Sequence, residues 1–209
     1  MAEHLPIMES FLTIQGEGFH SGKPAFFIRT GGCDVGCVWC DVKDSWDAEK
    51  HPSQNINDLK ILAEENDSEW IVLTGGEPAM YELSPLVKAL KSIQRSIAIE
   101  TSGCYPLKAE VDWYTFSPKK FKKPCDEAYK KADELKVVVF NKSDLKSTID
   151  DIDIKFKNNN VTTSAIQKEG LRELKLYIEN LLENNLSNAT FFIPTKNEKI
   201  SSWLYKNSY

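Results

Sequence analysis

The stretch TGGCDVGCVWCD, residues 30–41, places three cysteines within one short loop: Cys33, Cys37 and Cys40. Three thiols suit neither a disulfide, which needs two, nor a closed structural zinc site, which needs four ligands. They do suit a [4Fe–4S] cluster in which one iron lacks a protein ligand. Such an iron can bind a small molecule, whereas a fully ligated cluster only passes electrons. The loop therefore predicts an iron–sulfur cluster with an open coordination position.

Zinc is the alternative metal for the same cysteines. Thiolates bind soft metals, but zinc sites are usually built from C-x2-C pairs, and this loop holds only one such pair. A fourth ligand would have to be His51, Cys104 or Cys125, each of which is single and distant in the sequence. A zinc-binding interaction module therefore stays open as a function of a different class, and metal analysis separates it from the cluster.

The composition describes an ordinary globular chain of 209 residues, 41% hydrophobic and 27% charged, and predicts a single domain over 1–209. No apolar run approaches the roughly 18 residues that span a bilayer, so we expect no membrane partner. The N-terminal MAEHLPIMESF has neither a basic region nor a long apolar core, which predicts a cytoplasmic protein with reduced cysteines. The net charge of −5 provides no electrostatic basis for binding nucleic acid.

Short apolar runs alternate with helix-like segments up to about residue 145. The predicted strands are 25–30, 69–78, 96–101, 111–117 and 135–140, and the predicted helices are 56–66 and 83–93. This alternation indicates an α/β fold with a mostly parallel sheet. Ligands of such sheets bind at the carboxyl ends of the strands. The cysteine loop, TGGEP, ETSG and SPK each follow a predicted strand, so we expect them to form one site.

The C-terminal part, residues 146–209, has a different character. It is polar, with three consecutive asparagines at 158–160 that predict a turn or linker. An amphipathic helix is predicted over 171–186 and a short strand at TFFIP, residues 190–194. Nothing in this part indicates a repeat or a second domain.

The motifs resemble those of the radical S-adenosylmethionine (SAM) enzymes. The carriers of the resemblance are C-x3-C-x2-C with the aromatic Trp39 before the last cysteine, and GGEP at 75–78 after the next strand. The resemblance implies a partial, open (β/α) barrel of the radical SAM type. It also implies that SAM chelates the open iron and is cleaved by one electron to a 5′-deoxyadenosyl radical.

A longer stretch, TIQGEGFHSGKPAFFIRTGGCDVGCVWCD at 13–41, resembles the 7-carboxy-7-deazaguanine synthase family within that superfamily. TGGEP, ETSG and SPK follow in the order of the family, and the resemblance covers about residues 5–145. It implies a lyase of queuosine biosynthesis, which contracts 6-carboxy-5,6,7,8-tetrahydropterin to 7-carboxy-7-deazaguanine with loss of ammonia. The radical would take a hydrogen from C6, and SAM would be regenerated.

The resemblance also assigns site residues. For the substrate these are Ile14, Gln15, Gly16, Arg29 and Thr74, and for SAM they are Trp39, Cys40, Asp41, Gly76, Glu77, Ser102, Ser117, Pro118 and Lys119. Arg29 suits a carboxylate because its guanidinium is a bidentate donor. On residue chemistry alone, Arg29 is equally expected in a surface salt bridge, and Lys119 is expected to be a solvated loop charge.

Two departures from the family pattern concern a metal ion and the C-terminus. Family members usually carry Thr or Ser after the CD, where the hydroxyl helps to hold Mg²⁺, but this chain has Val42, which offers no side-chain oxygen. Either Asp41 or Asp44 substitutes for that hydroxyl, or the metal is dispensable. The later Leu-Gln-Pro and Gln-Thr-His-Lys elements of the family have no counterparts here, so a catalytically impaired member is one alternative.

The resemblance implies two kinds of partner besides the pterin: a flavodoxin- or ferredoxin-type reductant, and a second copy of the chain in a homodimer. A radical SAM activase that acts on a glycine of a partner protein would share the cluster. Such an activase predicts neither QGEG at 15–18 nor Arg29.

Overall fold

The apolar runs of the sequence form the strands of one large sheet. The structure is a computed structural model that describes residues 3–38, 40–119, 121–138, 140–141, 162–163, 170, 172–176 and 189–192. Its strands are β1 His4–Ile14, β2 Pro24–Thr30, β3 Ser53–Asn55, β4 Trp70–Gly75, β5 Ser96–Thr101, β6 Trp113–Phe116, β7 Glu134–Val138, β8 Phe140–Asn141, β9 Thr162–Thr163 and β10 Ala189–Phe192. Its α-helices are α1 Ile56–Glu64, α2 Ser84–Lys91 and α3 Asp126–Lys131.

The large sheet has the strand order β10-β7-β6-β5-β4-β2-β1-β3, and it does not close on itself. The strands β2, β4, β5, β6 and β7 are parallel neighbours, and the helices lie in the connections between them. β1 pairs antiparallel with both β2 and β3. The prediction of an α/β fold with a mostly parallel, open sheet is therefore confirmed.

The sequence did not predict β1 and β3. β1 is an antiparallel strand whose first half alternates buried Leu5 and Ile7 with more exposed residues, and Pro6 within it weakens the strand signal. α3 and β9 were not predicted either. The predicted strands and helices up to β7 agree with the structure apart from their ends, and β4 stops at Gly75, in the glycine turn predicted to end it. Of the helix predicted over 171–186, residues 172–176 are described and helical, and β10 confirms the predicted final strand.

Contacts between Cα atoms divide the chain into two compact units. The first contains Met1–Lys136 and Asn185–Thr190, and the second contains Val137–Asn184 and Phe191–Tyr209. β8 and β9, in the second unit, pair as a short parallel ladder. The single-domain expectation over 1–209 stays a prediction, and the candidate site described below lies in the first unit. Among the residues described, no helix is long and apolar enough to cross a membrane.

The parallel strands present two different faces because successive side chains of a strand alternate. One face, here called the helix face, carries Ile28, Leu73, Ile99 and Tyr114 in register. α3 covers part of it, since Tyr129 packs edge-on against Phe116 with ring centroids 4.9 Å apart. The other, the open face, carries the register neighbours Arg29 and Thr74 on β2 and β4, and Glu100, Thr115 and Glu134 on β5, β6 and β7.

Candidate active site at the carboxyl ends of the strands

The loop after β4 lies directly on the cysteine loop. Gly76 N donates to Thr30 O at 2.9 Å and Glu77 N donates to Gly32 O at 2.8 Å. A Cβ added to Gly76 would overlap the Gly32 carbonyl and contact Cys33 Cβ. Glycine is therefore required at position 76 by the close approach of two backbones. The predicted meeting of these two loops is confirmed.

Glu77 joins the loop after β4 to the loop after β5. Its side chain is only 1% exposed. One carboxylate oxygen accepts hydrogen bonds from Thr101 Oγ1 at 2.5 Å and Ala79 N at 3.0 Å, and the other accepts from Ser102 N at 2.8 Å and from Ser102 Oγ. A buried carboxylate with this many donors is well satisfied. It fixes the two loops to each other.

The three cysteines of the loop are free thiols, with Cys37 buried and Cys33 and Cys40 partly buried. Burial raises the pKa of Cys37 to about 11, against the opposing charge of Lys119 and together with neighbouring Cys33 and Cys40. Burial also raises the pKa of Cys33. Burial thus keeps these thiols protonated in the free protein, and a bound metal centre would deprotonate them.

Within the described part of the chain, no three His, Cys, Asp or Glu side chains form a group that could hold a metal ion. In a [4Fe–4S] cluster each cysteine thiolate binds a different iron. Its ligands therefore surround a group of atoms that is larger than a single ion. Two of the three candidate fourth zinc ligands are engaged elsewhere. His51 Nε2 lies 2.8 Å from Asp44 O, and the Cys104 thiol donates to Lys122 O at 3.2 Å. The donor set fits the cluster better than zinc.

On the open face, a hydrogen-bonded polar group lies near the carboxyl ends of the strands. Glu100 accepts from Thr74 Oγ1 at 3.1 Å and from Gln15 Nε2 at 3.2 Å, and Lys136 Nζ lies 4.0 Å from it. Gln15 and Thr74 are predicted substrate residues, and the structure brings them together around Glu100. Sequence reasoning noted ETSG but missed its glutamate. The available signal was a charged residue, Glu100, near the end of strand β5, two residues before Ser102.

Arg29 forms an ion pair with Glu9 on the neighbouring strand, with Nε 2.8 Å from Oε1. It is register neighbour to Thr74, so it also borders the polar group around Glu100. The structure thus contains the salt bridge that residue chemistry alone gave as the alternative to carboxylate binding. The carboxylate-binding role stays a prediction.

In the SPK segment after β6, Ser117 is buried and Pro118 and Lys119 are partly buried. Lys119 Nζ donates to Ser117 Oγ at 2.6 Å, and burial lowers the pKa of Lys119, while negative charge on the nearby Cys37 sulfur opposes that shift. The expectation of a solvated loop charge, made from residue chemistry alone, is therefore wrong. Lys122, in the same basic stretch, lies 2.5 Å from Asp34 Oδ2 and so bonds to the cysteine loop itself.

The remaining predicted residues that the structure describes differ in their exposure. Trp39 lies outside the described residues. Ile14 is 61% exposed, Gly16 and Asp41 are exposed, Pro118 is partly buried, and Ser102 is buried by its bonds to Glu77. Val42 is partly buried, and its carbonyl accepts from Ser45 Oγ at 2.7 Å. Asp41 and Asp44, the substitutes considered for a metal-binding hydroxyl, are both exposed.

In comparison with known proteins, residues 27–143 of this chain match the family model of the radical SAM superfamily. The chain is 51% identical over 142 residues to 7-carboxy-7-deazaguanine synthase of Flavobacterium psychrophilum, a match covering 68% of this chain and 67% of that protein. It is 47% identical over 139 residues to the enzyme of that name from Synechocystis, covering 66% of this chain and 67% of the relative.

A solved structure also matches. It is QueE from Escherichia coli, with a TM-score of 0.64, 28% identity, and coverage of 90% of this chain and 94% of that one. Membership of the radical SAM superfamily implies a [4Fe–4S] cluster and SAM as cofactors. The matched residues include the cysteine loop, GGEP and SPK, which the fold brings to one edge of the sheet. On these findings the chain belongs to the 7-carboxy-7-deazaguanine synthase family of radical SAM enzymes.

Proposed function

We propose that this protein converts 6-carboxy-5,6,7,8-tetrahydropterin to 7-carboxy-7-deazaguanine and ammonia. The observation that carries the proposal is the meeting of two groups at one edge of the sheet. One is the cysteine loop with its glycine-rich neighbour, and the other is the polar group of Gln15, Thr74 and Glu100. The two relatives at 51% and 47% identity bear the name of this activity.

Cys33, Cys37 and Cys40 are the residues that would hold the cluster. When bound, the cluster with SAM on its open iron supplies the one-electron reduction that starts radical chemistry. The backbone N–H groups of Gly76 and Glu77 bond to the cysteine loop. The Glu77 carboxylate is occupied by Thr101 and Ser102, so the backbone of this segment would contact SAM. Trp39, Cys40, Asp41, Ser102, Ser117, Pro118 and Lys119 complete the proposed SAM site.

The chain's own side chains would orient the pterin. Arg29 would exchange its ion pair with Glu9 for the substrate carboxylate, a charge-assisted contact on the open face. The Glu100 carboxylate would accept hydrogen bonds from N–H groups of the pterin, while Gln15 and Thr74 hold that carboxylate in place. The Ile14–Gly16 backbone would bind the amide-like edge of the same ring.

The base of the open face is apolar and would exclude water below the substrate. Ala25, Phe27, Val72 and Ala98 form a buried cluster there, and Phe11, Trp70 and Trp113 pack against it. Exclusion of water strengthens each electrostatic contact above the cluster of apolar side chains. It also keeps a reactive organic radical away from solvent.

Three further features belong to the proposal. Because the Val42 side chain provides no oxygen, turnover would depend less on Mg²⁺ than in relatives with a hydroxyl at this position. A flavodoxin- or ferredoxin-type protein would deliver the electron, and two copies of the chain would form a homodimer. An activase that acts on a partner protein is less well supported, because it has no use for a polar group around Glu100.

The test is anaerobic reconstitution with iron and sulfide, followed by incubation with SAM, dithionite and the carboxylated tetrahydropterin. We expect 7-carboxy-7-deazaguanine and ammonia in equal amounts by mass spectrometry and ammonia assay. With SAM below the pterin concentration, product should exceed SAM, because SAM is regenerated. Cys37→Ala, reconstituted in parallel, is the control. SAM cleavage to 5′-deoxyadenosine without any pterin product would contradict the proposal.

A further inference from the structure

The loop between β1 and β2, residues 15–23, is here called the QGEG loop, and it lies across the open face. It is closed at its base by Gln15 N donating to Lys23 O at 2.9 Å and Gly22 N donating to Gln15 O at 2.8 Å. Two of its side chains reach the polar group described above. Gln15 bonds to Glu100, and Glu17 lies 2.5 Å from Lys136 Nζ. The placement of this loop therefore decides where Gln15 and Glu17 lie.

Glu134, at the start of β7, holds the tip of the QGEG loop. Its side chain is 4% exposed, and it is separated from the loop by 115 positions in the sequence. Its Oε2 accepts from Trp113 Nε1 at 2.9 Å and from Phe19 N at 3.5 Å. Phe19 in turn stacks on Trp113, with ring centroids 5.0 Å apart. One buried carboxylate thus binds a loop amide and the indole beneath it.

Gly18 permits the close approach of the loop to this carboxylate. Its φ is +75°, and a Cβ added there would overlap Glu134 Oε1. Any other L-residue would be strained in backbone conformation and would displace the carboxylate. The second glycine of QGEG is therefore required by Glu134.

Lys136 lies two residues further along β7 and so on the same face as Glu134. Burial alone would lower the pKa of Lys136, but Glu100 and Glu17 raise it above its ordinary value. Lys136 is thus a cation between a loop carboxylate and the Glu100 carboxylate. The two β7 residues hold the QGEG loop at adjacent points. Glu134 binds the backbone of the loop, and Lys136 binds the side chain of Glu17.

We propose that Glu134 is a positioning residue, which sets the substrate affinity of the enzyme by fixing the QGEG loop against β6 and β7. It acts through Gln15 and Glu17 and touches no reacting atom. The effect on substrate affinity rests on the proposed function, whereas the anchoring of the loop by Glu134 does not. Glu134→Gln keeps the size of the side chain while it replaces one oxygen with a donor group. The new amide NH₂ group would face either the Gly18 backbone or the N–H donors of Phe19 and Trp113.

The first measurement is hydrogen exchange of ligand-free protein. In Glu134→Gln we expect peptides covering residues 15–23 to exchange about fivefold faster or more, since a loop that loses its anchor opens more often. Asp112→Asn is the matched control: Asp112 precedes Trp113, and its carboxylate accepts from Ile97 N at 2.8 Å and bonds to Lys91, neither of them in the loop. Unchanged exchange of the loop in Glu134→Gln would overturn the proposal.

The second measurement is steady-state kinetics with the pterin. Glu134→Gln should raise KM about tenfold, the size of one lost hydrogen bond to a charged group, and change kcat by less than about threefold. A fall in kcat with unchanged KM, or the same change in Asp112→Asn, would overturn the positioning role. A wild type without turnover would contradict the proposed function, whereas the exchange result would still decide whether Glu134 is the anchor.

Trp113→Phe is a second variant, needed if Glu134→Gln folds poorly. It removes the Nε1–H donor while it keeps an aromatic ring beneath Phe19. We expect the same direction of change in loop exchange and KM, but smaller than in Glu134→Gln. Equal exchange rates in Trp113→Phe and wild type, with equal KM, would count against the anchor.

Discussion

The helix face and the open face of the sheet are made from alternate residues of the same strands, but they bury different chemistry. Ile28, Leu73 and Ile99 on the helix face are fully buried and apolar. One residue further along the same three strands, the open face carries Arg29, Thr74 and Glu100. Because the period of a strand is two, stability and ligand chemistry are separated by a single position.

The comparison predicts that substitutions on the helix face will change the free energy of unfolding. Those on the open face should change binding. At the carboxyl edge, where β2 ends in the cysteine loop, they should change cofactor content. A helix-face variant that changes binding, or an open-face variant that mainly changes the free energy of unfolding, would show that the two faces are not independent.

The largest effect is expected at the carboxyl edge. Replacing Cys33, Cys37 or Cys40 with Ala should abolish cluster assembly and turnover together, because on the proposed assignment each thiolate would be an indispensable ligand. Iron and sulfide analysis after anaerobic reconstitution measures this. The controls are Cys104→Ala and Cys125→Ala, which should keep the cluster. A wild type that contains zinc but no iron would refute the assignment.

On the helix face, Leu73→Ala should destabilise the protein by about 2–5 kcal/mol, the cost of a cavity in a well-packed core. KM for the pterin should stay close to that of the wild type at a temperature where the variant is folded. Denaturant unfolding measures the first quantity and initial rates the second.

Thr74→Val, at the neighbouring position, should show the reverse pattern: weaker pterin binding with a loss of stability of only about 1 kcal/mol. Similar patterns in both variants would break the comparison.

On the open face, Arg29→Lys should weaken pterin binding by roughly ten- to 150-fold, since a lost charge-assisted hydrogen bond is worth about 1.5–3 kcal/mol. SAM binding should remain nearly unchanged, because the positive charge is kept and Arg29 lies away from the SPK segment. Equilibrium binding of each ligand to the reconstituted protein tests this. An Arg29→Lys variant that binds the pterin as well as wild type would remove Arg29 from the substrate site.

The smallest effect is expected at Val42. Val42→Thr is nearly isosteric and adds one oxygen, so it should increase the stimulation of turnover by Mg²⁺. Because the side chain is only partly buried, the hydroxyl should not be heavily penalised. The measurement is initial rate against Mg²⁺ concentration after chelator treatment. Strong Mg²⁺ dependence in the wild type would show that another group holds the ion, such as the exposed Asp41 or Asp44.

Local patterns were enough to predict much of the fold and part of the candidate site. The spacing of three cysteines is a property of one loop, and alternation of apolar runs with helical periods is read within short windows. The parallel sheet and the grouping of motifs at strand ends follow from them. β1 and β3 were missed because antiparallel strands near the edge of the sheet carry weak local signals, and Pro6 weakens the signal of β1 further.

The sequence alone determined the cofactor class, through the cysteine loop and GGEP, because ligand spacing is a local property. Only the tertiary structure decided which charges meet. Glu100 and Gln15 are 85 positions apart, and Glu134 and Phe19 are 115 apart, yet each pair is hydrogen-bonded across the open face. The tertiary structure also decided that Lys119 bonds to Ser117 and that the Glu77 carboxylate bonds to the next loop. Such pairings depend on strand order and register, which no local pattern in the chain specifies.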